Sequence, residues 1–287
     1  ETSLGTLNDW LTDWNEKNPP YKGPNWKCGQ EASIRVMHLA MASLILGQAE
    51  NPLPSLAELI RVHLRRIAPT INYAMAQDNN HGTSEAAALF IGGTWLELQE
   101  VPEGKKWART GRQWLENRVG RLFMPDGSFS QSSLNYHRLA LDTLCMVEVW
   151  RQRFQAPPFS ATYKTRLAAA TEWLRAMVDP LTGEAPNLGA NDGARLLPLT
   201  DTPYGDCRPS VQLASVLFAD AVAYQEEDIW DAPLRWLAVP RPQRTLPPRK
   251  IQSFDDGGYT VLRTPSEDIT LLFRYPRFRF RPSHSDA

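Results

Sequence analysis

Helical periodicity runs almost without a break from residue 4 to about residue 237 of this chain, and then it stops. Apolar residues recur at three- and four-residue spacing in "LNDWLTDWNEKN", "QEASIRVMHLAMASLILGQ", "SLAELIRVHLRRIAPTINYAMA", "TSEAAALFIGGTWLELQ", "GKKWARTGRQWLENRVGRLF", "LNYHRLALDTLCMVEVWRQRF", "ATYKTRLAAATEWLRAMV" and "SVQLASVLFADAVAYQ". A short piece, "EDIWDAPLRWLAV", closes the set. The connections between them are short and carry the Pro, Gly, Asn and Asp that end helices. About eight or nine helices joined this way stack as antiparallel hairpins. A superhelical repeat array needs a fixed sequence period, and none is found. A four-helix bundle has too few helices. The expected architecture is mainly α, an incomplete α/α toroid.

Past residue 239 the character changes. "PRPQRTLPPRK" (240–250) is rich in Pro and Arg and reads as a linker. "GGYTVLRT", "DITLLFRY" and "RFRFRP" then cluster or alternate β-formers. Three strands with little core of their own do not stand alone. The expected division is a toroid over 1–239, a linker over 240–250 and, over 251–287, the first strands of an antiparallel β-sandwich that a longer natural chain completes.

Composition narrows the function. The formal net charge is −1, so no overall basic field draws in nucleic acid. No apolar run reaches the roughly 18 residues of a membrane span. The three cysteines, Cys28, Cys145 and Cys207, lack CxxC spacing, which argues against a zinc site or a disulfide framework. Ten tryptophans fill gaps between helices, and some could stack on a sugar face. No nucleophile elbow, phosphate loop or HExxH motif is present, and no cofactor is expected.

Four polar clusters interrupt the helical pattern. "AQDNNHGTSEAAALF" sets Asp78, Asn79, Asn80 and His81 before a helix. One of these residues suffices as an N-cap, so the others are surplus or have a task. An amide at a helix start can meet an anion, and a neutral imidazole beside it can take a proton. "DGSFSQSSLNYHRLALD" places Tyr136, His137 and Arg138 at another helix start. That run is either a helix face with one ring buried or a phenol whose pKa Arg138 lowers. "EAPNLGANDGARLLPL" offers Asn187, Asn191 and Asp192 to a groove, or uses them only to tie a loop. "FRFRPSHSDA" gathers Arg279, Arg281, His284 and Asp286 about a strand end. His38 and His63 sit among apolar neighbours inside helices and read as structural.

"GPNWKCGQEASIR", "NNHGTSEAAAL", "DGSFSQSSLNYHRLALD" and "RPSHSDA", in this order, resemble the heparinase II/III-like polysaccharide lyases. The resemblance spans essentially the whole chain. It implies an incomplete toroid followed by an antiparallel sandwich. It also implies β-elimination on a uronic-acid polysaccharide. On that resemblance Asn80 neutralises the uronate carboxylate, and Tyr136 protonates the departing glycosidic oxygen and can also serve as base in a syn elimination. The partner base is His81, as in alginate-type members, or His284, as in heparinase III-type members. Arg138 holds the phenol or a sugar acid. Asn25, Trp26, Gln131, Asn135, His137 and Asn191 complete the expected substrate contacts. Metal sites of some relatives lie in the sandwich, so no catalytic metal is expected here. The family implies export to the periplasm or secretion. The near-neutral charge favours a weakly sulfated or unsulfated acidic polysaccharide as partner. Two other readings stay open: a hydrolase on the same scaffold, which needs a carboxylate pair, and a non-catalytic acidic-glycan-binding or polysaccharide-biosynthesis-cluster protein.

Overall fold

The computed structural model of the chain describes residues 2–248, 251–264, 270–275 and 277. Its helices are α1 (Thr2–Lys17), α2 (Gly29–Ile45), α3 (Pro54–Ile67), α4 (Ile71–Ala76), α5 (Asn80–Leu98), α6 (Gly104–Leu122), α7 (Leu134–Arg153), α8 (Ala161–Met177), α9 (Arg208–Ala219) and α10 (Ala232–Trp236). Three strands follow: β1 (Gln252–Phe254), β2 (Tyr259–Arg263) and β3 (Thr270–Arg274).

Two helices set the architecture because they are buried on nearly every side. In α5 only His81, Thr94, Glu97 and Leu98 escape burial, and in α7 every residue from Leu134 to Trp150 is buried. A helix like that must lie between others. Accordingly α2, α5, α7 and α9 pack one against the next. The more exposed α3, α6 and α8 cover them from outside: α3 on α2 and α5, α6 on α5, α8 on α7 and α9. This two-layered stack of hairpins is an incomplete α/α toroid.

The tightest seam joins α5 to α6, and glycines make it possible. A Cβ on Gly93 would stand 2.3 Å from the Ala108 nitrogen, and one on Gly111 2.3 Å from the Phe90 nitrogen. The two backbones touch where side chains would hold them apart. On its other flank α5 meets the start of α2, where a Cβ on Gly29 would lie 2.3 Å from Glu85 Oε1. Trp95 and Trp150 then lock α5 to α7, ring centroids 5.3 Å apart.

Two helices are shorter than periodicity predicts. "SLAELIRVHLRRIAPTINYAMA" divides into α3, a 3₁₀ turn at Ala68–Thr70, and α4, because Pro69 lacks the N–H that a continuous helix needs. "SVQLASVLFADAVAYQ" ends at Ala219, where Asp220 turns left-handed with φ 50°. Val222 beyond it pairs in parallel with Thr245, its N–H donating to the Arg244 carbonyl at 2.8 Å. Residues near 245 are thereby stitched to the helical body.

The small sheet is antiparallel in the order β1-β2-β3, with Phe254 opposite Tyr259 and Val261 opposite Leu272. β2 and β3 match the expected strands, and β1 was not foreseen. Of "RFRFRP", all but Arg277 lies outside the described residues. The buried rings of Tyr259 and Phe254 face Trp173 of α8 at 5.4 and 6.4 Å. Arg263 Nη2 donates to the Ala176 and Val178 carbonyls at 2.7 and 2.9 Å.

Two consequences can be measured. Gly111→Ala forces α5 and α6 apart and should cost about 1–3 kcal/mol, read as a lowered urea midpoint. Burial pushes the Glu85 carboxyl up to about 7 from 4.5, against the pull of Arg66. A carboxyl raised in the folded state favours folding below its unfolded pKa, and that contribution is lost as pH rises through the folded value. Thermal stability should therefore carry a falling component between pH 4.5 and about 7 that Glu85→Gln removes, seen by comparing melting curves across that window.

Candidate active site

Three of the four polar clusters gather at one end of the inner layer, where α5 and α7 begin. Asp78, with φ 49°, turns the chain between α4 and α5. Its carboxylate accepts from Arg118 Nη1 at 2.8 Å and from Arg121 Nε at 2.6 Å. Those bonds, Arg121's first, hold the carboxyl below its usual range. Asn79 is the N-cap, its Oδ1 accepting from the His81 N–H at 3.0 Å. The Asn80 N–H donates to Gln131 Oε1 at 2.8 Å. That bond ties the start of α5 to the turn that precedes α7. Asn80 is buried, and its Oδ1 has no protein partner among the described residues. His81, on the first turn of α5, is half-buried.

The entry to α7 is built by a second loop. Ser133 caps the helix, accepting from the Tyr136 N–H at 3.1 Å, and its own hydroxyl donates to the Ala190 carbonyl at 2.6 Å. The Leu134 N–H donates to the Leu188 carbonyl at 2.9 Å. Gly189, at φ +71°, passes so close that a Cβ would stand 2.4 Å from the Ser132 carbonyl oxygen. Residues 186–194 are thus laid across the start of α7. This delivers Asp192 to Tyr136: the phenol O–H donates to Asp192 Oδ2 at 2.9 Å. Asn135 Nδ2 donates to Asp192 Oδ1 at 3.2 Å. Tyr204 Oη sits 2.8 Å from Asn135 Oδ1 and 2.7 Å from Asn191 Oδ1. A cleft of about 280 Å³ opens alongside, lined in part by Asn135, Arg138, Asn187, Asn191 and Tyr204.

Several expected roles change. Of the two readings of the Tyr136–Arg138 run, one has Arg138 lower the phenol's pKa. Residues two apart on a helix do not face each other, and Arg138 instead donates to the Tyr204 carbonyl at 2.8 Å and lies over the Tyr204 ring at 4.8 Å. The phenol moves the other way: burial, and then the Asp192 carboxylate, push Tyr136 up to about 12. His137 faces the interior. It is 0 % exposed, hydrogen-bonded to the Ala170 carbonyl at 3.0 Å and stacked on Trp173 at 4.4 Å, so it is packing rather than a sugar contact. Burial holds its imidazole down at about 4, neutral at any physiological pH. Trp26 is enclosed by Trp14, Tyr21 and His63, and its indole N–H donates to the Asn18 carbonyl at 3.0 Å. Asn25 hydrogen-bonds Asn18 Oδ1 at 2.6 Å in that same aromatic corner. The structure therefore brings Asn80, Gln131, Asn135, Tyr136, Arg138 and Asn191 into one neighbourhood and gives Trp26 and His137 structural work. His284, with Arg279, Arg281 and Asp286, lies outside the described residues. Tyr204 was missed, since a single tyrosine in a Pro- and Gly-containing loop carries no pattern to mark it.

Comparison with known proteins can now be set beside this geometry. The family model described as Heparinase II/III N-terminus matches residues 7–194, which include both helix starts and the loop that carries Asp192. Among solved structures the chain is similar to that titled "Crystal Structure of Heparinase III", with TM-score 0.62 and 19% sequence identity. The match covers 94% of this chain and 40% of that one. A search of curated proteins finds no match. The chain belongs to the heparinase II/III family, and the N-terminal family region it matches holds Asn80, Gln131, Asn135, Tyr136, Arg138 and Asn191.

Proposed function

We propose that the chain is the toroid part, with the first sandwich strands, of a polysaccharide lyase that cleaves a uronic-acid polysaccharide by β-elimination. The observation that carries the reading is the link between the two helix starts. A buried asparagine at a positive helix terminus is tied through Gln131 to the turn that presents a protonated phenol. Family membership supports it independently.

The chemistry needs what these groups offer. The proton on C5 of a uronate is weakly acidic while the adjacent carboxylate is fully charged. Hydrogen bonds to that carboxylate let negative charge spread into it as the proton leaves. Asn80 takes this part, at the end of α5 where the helix dipole also favours an anion. A base removes the proton, and Tyr136 donates to the departing glycosidic oxygen. His81, on the first turn of α5, is the candidate base within the described residues. His284 is the alternative from the C-terminal segment. Asn135, Arg138 and Asn191, around the cleft, meet neighbouring sugars. The near-neutral net charge favours an unsulfated or weakly sulfated chain as substrate. Acidic polysaccharides of this kind place the enzyme in the periplasm or outside the cell.

The test uses the full-length protein and a panel of uronic-acid polysaccharides, followed by the ultraviolet absorbance of the unsaturated uronate product. Absorbance should rise with an unsulfated member of the panel. Asn80→Ala and Tyr136→Phe should each lower kcat about 10²–10³-fold with the circular dichroism unchanged. Full activity in either variant would refute the assignment. Cleavage without the chromophore marks a hydrolase, and binding without cleavage marks a glycan-binding protein.

A further inference from the structure

Tyr136 has two possible duties in such an elimination, acid or base, and one residue outside the expected catalytic set decides between them. The phenol of Tyr136 donates to Asp192 Oδ2. Asp192 is not a chance neighbour. Its Oδ1 accepts from Asn135 Nδ2 at 3.2 Å and from the Ala194 N–H at 3.1 Å, so both oxygens are engaged. The loop beneath it is fastened to the start of α7 at Leu188 and Ala190, and Gly189 permits the close approach.

We propose that Asp192 is a positioning residue that fixes Tyr136 as the proton donor and leaves the C5 proton to an imidazole. The inference rests on the lyase reading given above. A phenol hydrogen-bonded to a carboxylate must carry its proton, because a phenolate there would face a like charge with no hydrogen between them. Among the described residues beside it in the chain, Arg138 is turned to Tyr204 and the neutral ring of His137 to Ala170, so neither opposes Asp192. The raised pKa of Tyr136 agrees with this. The step then balances as follows. The imidazole takes the C5 proton, and the C–H electron pair becomes the C4–C5 double bond. The C4–O bond breaks with its pair on oxygen, and that oxygen receives the Tyr136 proton. The phenolate left beside Asp192 is a strong base and recovers a proton from the imidazolium through solvent.

The experiment is the alkaline limb of kcat in wild type, Asp192→Asn and Asp192→Glu, using the full-length protein. It is paired with NMR of ¹³Cζ-labelled tyrosine in which the Tyr136→Phe variant identifies the Tyr136 resonance. Burial, the larger cause of the raised phenol pKa, remains in Asp192→Asn, so the alkaline limb of its kcat should move to lower pH than in wild type while staying above that of a free phenol near 10. Wild type and Asp192→Glu should hold their plateau, and KM should change little. A purely structural role for Asp192 would not move the limb. An unmoved limb in Asp192→Asn overturns the proposal, as does a rise in its activity towards alkaline pH, which would mark the phenolate as base. Should wild type cleave no uronic-acid polysaccharide, the lyase reading falls and the donor assignment with it. The NMR titration then stands apart: a Tyr136 resonance with the same pKa in Asp192→Asn would show that Asp192 does not hold the phenol's proton at all.

Discussion

A helix whose middle is apolar on every side can only be stable inside other helices, and α5 is such a helix. Its middle, Ala86 to Gly93, has no polar side chain. Burying it demands α2 and α3 on one flank, α6 on another and α7 on a third. Gly93 and Gly111 let α6 approach to backbone contact, which a larger residue on either helix would prevent. Once α5 is enclosed, its first turn has one place to go: the end of the inner layer, where α7 also begins. The position of Asn80 is thus a consequence of packing more than ten residues further along the same helix.

At that end the polar residues of "DNNH" divide the labour. Asp78 closes a partly buried ion pair to α6 through Arg118 and fixes the corner. Asn79 satisfies the first free N–H of the helix. Both are structural tasks. Asn80 is then free of capping duty, and its backbone is held by Gln131 from the neighbouring segment. The sequence asks why one helix start needs so many hydrogen-bonding side chains. The structure answers that two of them hold the third in place, as a preorganised site requires.

Much of the fold was legible because it follows from periodicity. Long amphipathic or wholly apolar segments with Pro and Gly between them can be read residue by residue. The reading failed where one residue overrides the period, as Pro69 does between α3 and α4, and where a left-handed residue ends a helix early, as Asp220 does after α9. The candidate site was half legible. Asn80, His81 and Tyr136 announce themselves as polar residues at helix starts. What cannot be read from spacing is which loop crosses which helix. Asp192 lies 56 residues from Tyr136, and nothing local links them. The same blindness made Arg138 look like the phenol's partner, because adjacency in sequence was taken for adjacency in space. Two steps along a helix turn a side chain to the far side.

The first two turns of α5 also show where this chain spends its stability. Asn80 Oδ1, Thr83 Oγ1, Ser84 Oγ and Glu85 Oε2 are buried there without a protein hydrogen-bond partner among the described residues. An orphaned buried polar atom costs about 1–3 kcal/mol, and a helix under no other demand would place alanine or leucine at such positions, as the next turns of α5 do. Apolar packing by Leu89, Phe90, Ile91, Trp95 and Leu96 offsets the cost at the other end of the same rod. Along α5 these groups fall within two turns of Asn80, while the core elsewhere holds others, among them His137 Nδ1, Asp142 Oδ1 and Tyr163 Oη. The gradient along this one helix puts its polar, under-satisfied turns at the candidate site. It fits a helix whose buried C-terminal part exists to hold an under-satisfied, polar N-terminal part rigidly where α7 presents Tyr136.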